Sequence, residues 1–474
     1  MVYNTPQIVL ILATILFISA LNPVPPLTTS GLIIVASGLF FGLTYLYKSF
    51  KPRFSSLINH HFSKEAFPKP KINPTKKTFE SVPIDNLVSK YKSPLFIISQ
   101  RLLEDKLTTI RQLIHKHYQP VTLAYSVKTN NLSSLLAFYQ FQGIHAEVVS
   151  GSEYIQARKI GFKKNIIFNG PDKGLTNLQT ALKNGVKVNL DNQTELDSLL
   201  SLAKNAKRPW QVGIRVNTVS SQKSHFGFEL FSGQALKAAN QIISHPALSL
   251  AGLHLHLGSN LRSPRIYSAN ISQVIKFAQN LTSNHTLINY LDIGGGFPTH
   301  SSYQTHNSFR PYSLNSYLGH ALSPIKNSSL NGIQVILEPG RLLIEEAVSL
   351  LTTVLSAQPE KKFIITDASL STLPLATHGY QPIIQLNSHT HKEKRLTTIY
   401  GHTCMENDII ATTGLSWPIS AGDSLIIHHV GAYNLTQSSS FIYPQPAVIT
   451  INQKKISLSR NAQTPKDVIN RDNL

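Results

Sequence analysis

The chain has 474 residues, a single cysteine and a formal net charge of +20 at pH 7, from 44 Lys and Arg against 24 Asp and Glu. That length leaves room for two or three domains with sizeable cores, while one cysteine excludes an intramolecular disulfide and fits a reducing compartment. The basic excess comes with no zinc-ligand spacing, RNA-binding signature or long basic helix, so nucleic acid is not the expected partner, and attraction to an anionic membrane surface is the milder reading.

Two apolar runs open the chain, Ile8 to Leu21 and Leu32 to Tyr47, separated by the turn-forming NPVPPLTTSG. As helices they reach about 21 and 24 Å, short of a hydrocarbon core of about 30 Å. Residues 1–50 are therefore expected to form a helical hairpin or re-entrant membrane anchor in contact with lipid. No Lys or Arg precedes the first run and no clear small-residue cleavage site follows it, which argues against a signal peptide. Basic residues come afterwards, from Lys48 to Lys77, against the single acid Glu65. This bias places the main domain on the cytoplasmic side of the membrane. Residues 51–90, rich in Pro and Lys and without hydrophobic period, are expected to be a basic linker.

From residue 121 a unit recurs: a short apolar strand, a polar or glycine-containing end, then an amphipathic helical stretch. The predicted strands are Val121 to Val127, His145 to Val149, Asn165 to Phe168, Val186 to Leu190, Gln211 to Val216, Leu250 to Leu257, Tyr290 to Ile293 and Gln334 to Leu337. Eight such units in about 220 residues suit a (β/α)8 barrel. A doubly wound open sheet is the other arrangement that the pattern permits.

The strand ends are unusually polar. In order they are Lys128, SGSE (Ser150 to Glu153), NGPD (Asn169 to Asp172), Asp191, RVN (Arg215 to Asn217), HLGS (His256 to Ser259), GGG (Gly294 to Gly296) and EPGR (Glu338 to Arg341). In a barrel these ends converge on one rim, the face on which barrel enzymes place their chemistry. Lys128 alone reads either as a lysine snorkelling to solvent or as an imine-forming amine.

Pyridoxal phosphate would use all of these groups. The three glycines can aim backbone N–H groups at a phosphate, although GGG by itself is more often just a flexible loop. Arg341 offers a fork of donors to the same phosphate. Glu338 beside a pyridine nitrogen would keep it protonated. His256 lies against the ring or belongs to the core. With His254 it suggests a metal pair, but no further ligands have metal spacing, so no metal is expected.

The segments AYSVKTN, AEVVSGSEYIQARKIGF, IIFNGPDK, GLHLHLGSNL, LDIGGGFP, ILEPGRLL, GHTCMENDII and GAYNLTQSSSFIY resemble, in order, the motifs of the fold-type III PLP-dependent decarboxylases, the ornithine/diaminopimelate/arginine group. VVSGSE and the surroundings of EPGR are most similar to diaminopimelate decarboxylase. The resemblance runs from about residue 93 to 452, and the N-terminal apolar runs lie outside it. It implies an α/β protein made of a PLP-binding (β/α)8 barrel over 91–345 and a C-terminal β-sandwich or barrel-like domain over 346–455. That domain borrows an early strand near 94–99 (PLFIIS) and is followed by a polar tail, 456–474.

The resemblance also assigns roles. Lys128 forms the Schiff base with the cofactor, Glu147 and Glu153 match acidic positions near it, and His256 stacks on the ring. Ser259 and Gly294, Gly295 and Gly296 bind phosphate with Arg341 and Tyr433. Glu338 pairs with the pyridine nitrogen, and Arg215 is a further cofactor-binding candidate. Cys404 protonates the carbon that CO2 leaves, which suits a thiol that is mostly protonated near neutral pH. A lone cysteine outside such a motif is ordinarily a small buried hydrophobe. A head-to-tail homodimer is implied, in which Cys404 of one chain serves Lys128 of the other.

Two departures bear on the substrate, which is expected to be a small molecule, an amino acid. Family members acting on diamino acids carry an acid directly after the cysteine, where this chain has Met405 and only then Glu406. Diaminopimelate decarboxylases carry an arginine before a proline in the segment DASLSTLPLATHGY, where Leu373 stands here; Tyr380 closes that segment as a further candidate contact. The reaction expected is amino-acid decarboxylation of the diaminopimelate-decarboxylase type. The alternatives are a decarboxylase for a less polar, modified or carrier-linked amino acid, or a catalytically silent paralogue that binds partners.

Overall fold

The computed structural model describes residues 69–204, 206, 209–218, 224–283, 286–299, 312–378, 381–386 and 393–470. The proposed anchor, residues 1–50, lies outside them. Among the described residues no helix is long and apolar enough to cross a membrane.

Eight parallel strands form the barrel: Val121–Ser126, His145–Val148, Ile166–Phe168, Lys187–Leu190, Trp210–Asn217, Leu248–His254, Tyr290–Asp292 and Gln334–Leu337. Each pairs with the next, and Gln334–Leu337 pairs back onto Val121–Ser126 to close the ring, so the sheet is not open. The strands read as near-continuous apolar runs because helices cover their outer face while their inner face fills the barrel. The helix Gln100–His117 shows how the covering is encoded. Ser99 caps it by accepting the Leu102 N–H, Leu103, Leu107, Ile110 and Ile114 form a buried stripe at helical spacing, and His115, Lys116 and His117 end it where a helix favours cations.

At the foot of the barrel the interior is an apolar layer of Ala124, Ile167, Ala251 and Ile336 around Tyr290. The Tyr290 ring fits only because Gly213 and Gly252, on two neighbouring strands, have no side chain: a Cβ on either would collide with it. Higher up the layers turn polar, and the strand ends carry the site.

The second domain is a β sheet built on Val348–Gln358. Leu95–Ser99 pairs antiparallel with it and parallel with Ala447–Asn452, and so holds a central place among strands that follow it by some 250 residues or more. Phe363–Thr366 and Ser424–His428 also pair with Val348–Gln358, and Lys394–Tyr400 and Ile409–Ser416 extend the sheet.

Two segments expected to lack structure carry it. Residues 69–91, within the expected linker, form three two-residue strands and the helix Ile84–Tyr91. Their Phe79, Val82, Ile84 and Leu87 are buried against Leu95, Ile97, Leu351 and Ile449 of the β sheet. Strands that short leave no readable period, and their stability comes from the surface they cover. In the expected polar tail, Lys455–Arg460 is an edge strand on Ala447–Asn452, and the helix Pro465–Ile469 begins with a reciprocal Thr464 and Asp467 capping box. An edge strand held by backbone hydrogen bonds keeps polar side chains in water, so its composition resembles a tail.

Candidate active site

Lys128 stands one turn beyond the first barrel strand, in the short helix Val127–Thr129. Its Nζ donates to Glu147 Oε2 at 2.7 Å and Ser126 Oγ at 2.6 Å, and Ser126 donates to the same carboxylate oxygen at 2.5 Å. The lysine side chain keeps 36% of its surface exposed, so the amine faces an open space rather than a sealed core. Burial works against the ammonium, but the Glu147 and Glu338 carboxylates and the bond to Glu147 outweigh it and hold its pKa above the ordinary value.

Glu338, just after the last strand, is buried and faces His254, with Nε2 3.6 Å from Oε2. Asn169 Nδ2 donates to it at 2.6 Å. The carboxyls of Glu338 and Asp292 divide one proton unequally. Burial, then the Glu338 charge, pushes Asp292 well above the usual carboxylate range. For Glu338 burial acts in the same sense, but His254, a hydrogen bond from Asp292 and the Lys128 charge prevail and lower it. The two carboxyls are thus driven apart, Asp292 upward and Glu338 downward.

The Gly294 to Gly296 loop passes against the same groups. Gly294 N–H is accepted by Asp292 Oδ1 at 3.1 Å, and Gly295 N–H by His256 Nδ1 at 3.4 Å. A Cβ on Gly295 would collide with the Glu338 carbonyl, and one on Gly294 with the Leu255 carbonyl and the His256 ring, so the loop requires glycine by close approach. His256 is pushed down to about 3 by burial, then by the Lys128 and Arg215 charges, and is a neutral imidazole. His254, His256 and Glu338 bring donor atoms within 4.8 Å of one another, a grouping that linear spacing does not reveal. A cation there would displace the bonds that Glu338 and His256 already make to Asn169 and Gly295.

The family comparison agrees with this geometry. The model described as "Pyridoxal-dependent decarboxylase, pyridoxal binding domain" matches residues 104–345, just over half of the chain. The chain belongs to the pyridoxal-dependent decarboxylases. Diaminopimelate decarboxylase of Aquifex aeolicus is 27% identical over 402 residues, 81% of this chain and 92% of that protein. The enzyme of the same name from Archaeoglobus fulgidus is 24% identical over 413 residues, 84% and 97%. The fold also matches the crystal structure of diaminopimelate decarboxylase from M. jannaschii in complex with L-lysine, with a TM-score of 0.77 at 22% identity, covering 86% of this chain and 98% of that one. Membership makes this decarboxylase a carboxy-lyase with pyridoxal phosphate as its cofactor.

The residues present fit that cofactor. A part-exposed lysine, a buried carboxylate and a glycine cradle share one rim, and Arg341 Nε is buried with no hydrogen-bond partner among the described residues. The Arg341 guanidinium pairs with Glu345 and lies over the Tyr433 ring at 5.2 Å. Tyr433 is held by its own N–H, which Thr129 O accepts at 2.7 Å, one residue from Lys128. Arg215 binds Asp191 at 3.0 Å and covers Phe226 at 4.7 Å. Ser259 is exposed at the mouth of the loop.

Other expected residues are placed differently. Glu153 is a helix-start residue: its Oε2 accepts the Val149 N–H at 2.8 Å while its own N–H goes to Ser150 Oγ, and burial raises its pKa. Leu373 corrects an expectation, since it is completely enclosed in the main core and is packing rather than a substrate contact. Its place in the motif located it, but position along a chain does not say which way a side chain faces. Tyr380 lies outside the described residues. Cys404 and Glu406 are exposed and Met405 is half-buried, on a turn where Asp408 Oδ2 binds the Thr403 hydroxyl and N–H.

Two groups escaped the sequence reading of this decarboxylase. One is the buried set Asn169, Asn189, Tyr290 and Asp292. The other is Lys173, which donates to both Glu195 oxygens at 2.9 Å and to Gly170 O at 2.8 Å, tying the NGPD turn to the next helix. Asp292 stands two residues before the first glycine, and Lys173 follows NGPD directly, so neighbourhood was the available signal.

Proposed function

We propose that Lys128 is the amine that links to the cofactor aldehyde and is displaced by the substrate amine, and that the substrate loses its α-carboxylate on the barrel rim. The observation that supports this best is the Lys128 amine, exposed yet bonded to Glu147, on the rim that also carries Glu338 and the glycine loop. When bound, pyridoxal phosphate supplies an electron sink for the pair left on carbon as CO2 departs. Glu338 would hold a proton on the pyridine nitrogen, His256 would lie against the ring, and Gly294 to Gly296, Ser259, Arg341 and Tyr433 would hold the phosphate. Arg215, fixed by Asp191, adds positive charge at that side. Borohydride reduction of the loaded enzyme followed by peptide mass spectrometry should leave a pyridoxyl group on the peptide containing Lys128, and Lys128→Ala should release no CO2 from any amino acid. An adduct on another lysine, or full activity in the variant, overturns the reading.

Cys404 of a second copy is proposed to return the proton to carbon. The exposure of Cys404, and of Phe441, Ile442 and Tyr443 at 44%, 50% and 40% in the same domain, supports a homodimer that covers this face. Mixing Lys128→Ala with Cys404→Ala should restore about a quarter of the wild-type rate, because random exchange leaves half of the dimers with one intact site of two. No restoration, with subunit exchange verified by mass, would refute the shared site.

The substrate proposed is an amino acid of the kind the named relatives process, with a less polar side chain as the second reading because Met405 follows Cys404. CO2 release across diaminopimelate, lysine, ornithine and neutral amino acids separates the two. The apolar runs before residue 50 support a membrane anchor with the enzyme on the cytoplasmic side. Full-length protein should sediment with membranes and a form lacking residues 1–50 should not; protease added to spheroplasts should leave the barrel intact, and its digestion would reverse the assigned side.

A further inference from the structure

At the end of the barrel opposite the catalytic rim there is a cavity of about 390 Å³. Its walls include Lys187, Trp210, Gln211, Asn289, Tyr290 and Gln334. Lys187, Trp210, Tyr290 and Gln334 are each the first residue of their strands, whereas Lys128, Glu338 and the glycines follow the last residues of theirs. The cavity is therefore separated from the active site by the length of the barrel.

Its chemistry is one-sided. The Lys187 ammonium lies 5.9 Å from the centre of the Tyr290 ring, and among the described residues it has no carboxylate within ion-pair distance. The charges that act on it and on nearby His145 are cationic: Lys164 on Lys187, and Lys187 on His145. Trp210 and Tyr290 supply flat apolar walls, and Gln211, Asn289 and Gln334 supply amides able to donate or accept. A half-buried cation lacking a carboxylate partner among the described residues, beside the Tyr290 ring in a cavity that Trp210 also lines, is completed by a ligand carrying one carboxylate on a flat or apolar body.

We propose that this cavity is a second binding site, for a small aromatic or apolar carboxylate. The occupant would lie against the ring of Tyr290, whose hydroxyl points the other way, into the network that ends on Glu338.

The probe is 4-fluorobenzoate, followed by its 19F line width on addition of the full-length holoenzyme, with neutral 4-fluorobenzamide as the comparison. The expected result is saturable binding of the acid, at least about tenfold weaker binding of the amide, and a similar loss for the acid in Lys187→Met. Lys187→Arg should restore binding to within about threefold, which shows that charge rather than a failed fold is at issue. Lys128→Ala should leave binding unchanged, so the result is independent of the assignment of the catalytic lysine. Equal binding by wild type and Lys187→Met, or binding lost in Lys128→Ala, overturns the proposal.

Discussion

Glu147, on the second strand of the barrel, and Glu338, just after the last, share one donor: Asn169 Nδ2 lies 3.2 Å from an oxygen of the first and 2.6 Å from an oxygen of the second. The orientation of that amide is dictated from below. Tyr290 donates its hydroxyl to Asn189 Oδ1 at 2.8 Å, so Asn189 turns its Nδ2 to Asn169 Oδ1 at 2.9 Å, and Asn169 must present its own Nδ2 to the carboxylates. The order of donors runs from the foot of the barrel to its rim.

Tyr290→Phe should therefore destabilise the barrel although it removes one oxygen atom. It leaves Asn189 Oδ1 buried and unsatisfied, at a cost of about 1–3 kcal/mol. Urea unfolding measures this directly. The loss should be shared by the holoenzyme, and a change below about 0.5 kcal/mol would mean that the ladder is not worth what its burial implies.

Glu147→Gln should change the pH at which the apoprotein captures pyridoxal phosphate. Burial lowers Lys128, and carboxylates, Glu147 first among them, raise it above its usual value. Imine formation needs the neutral amine. Removing the Glu147 charge lowers the amine pKa, so capture in the variant should set in at lower pH than in wild type. Stopped-flow absorbance across pH reads the shift, and a shift to higher pH would show that Glu147 does not govern the amine.

These relationships explain what was legible in the sequence. The eight barrel strands could be read because each is an apolar run bounded by a polar end, and Lys128, Glu338 and the glycines because they stand at those ends. Asn169, Asn189 and Asp292 escaped a role because a buried polar residue is defined by its neighbours across the ring, and those come from strands about 20 to 170 residues away. Leu373 misled for the opposite reason, since a motif position was clear but its enclosure in the core was not. Residues 69–91 look like a linker because the surface they cover is supplied by strands far away in the chain.

Acid stability should carry a recognisable contribution from His428. It is buried on strand Ser424–His428, shares a 2.7 Å hydrogen bond with Ser349 Oγ, and is pushed down to about 3 by burial and then by His429. Its folded pKa lies below the unfolded value of about 6.5, so the unfolded chain binds the extra proton and stability is lost as pH falls through that window. The stability difference between wild type and His428→Gln should shift against wild type by up to about 1.4 kcal/mol per pH unit below pH 6.5, levelling off near 3. Parallel curves for the two proteins would assign the acid sensitivity elsewhere.

Met405→Glu tests what the neighbour of Cys404 selects. The half-buried thioether offers no charge to a distal ammonium, and a carboxylate in its place would. A charge-assisted hydrogen bond of about 1.5–3 kcal/mol corresponds to about 10–150-fold in kcat/KM for a diamino acid over a neutral one. The comparison is made on the ratio of the two substrates, which cancels any general loss of activity. An unchanged ratio would move the selecting residue to another part of the site.

Gly295→Ala should weaken cofactor binding while leaving the fold intact. The added methyl group meets the Glu338 carbonyl, which is backbone and cannot swing away, so the loop and the Glu338 peptide must separate. Overpacking of this kind costs about 1–3 kcal/mol, and here it falls on the two groups proposed to grip the phosphate and the pyridine nitrogen. Gly414→Ala is the matched control, because a Cβ there meets nothing within 4 Å and the backbone is not left-handed. Equilibrium dialysis should show at least about tenfold weaker pyridoxal phosphate binding for the first variant and none for the second. Equal affinities would mean that the loop yields without cost, and that its glycines are not there to let the phosphate approach.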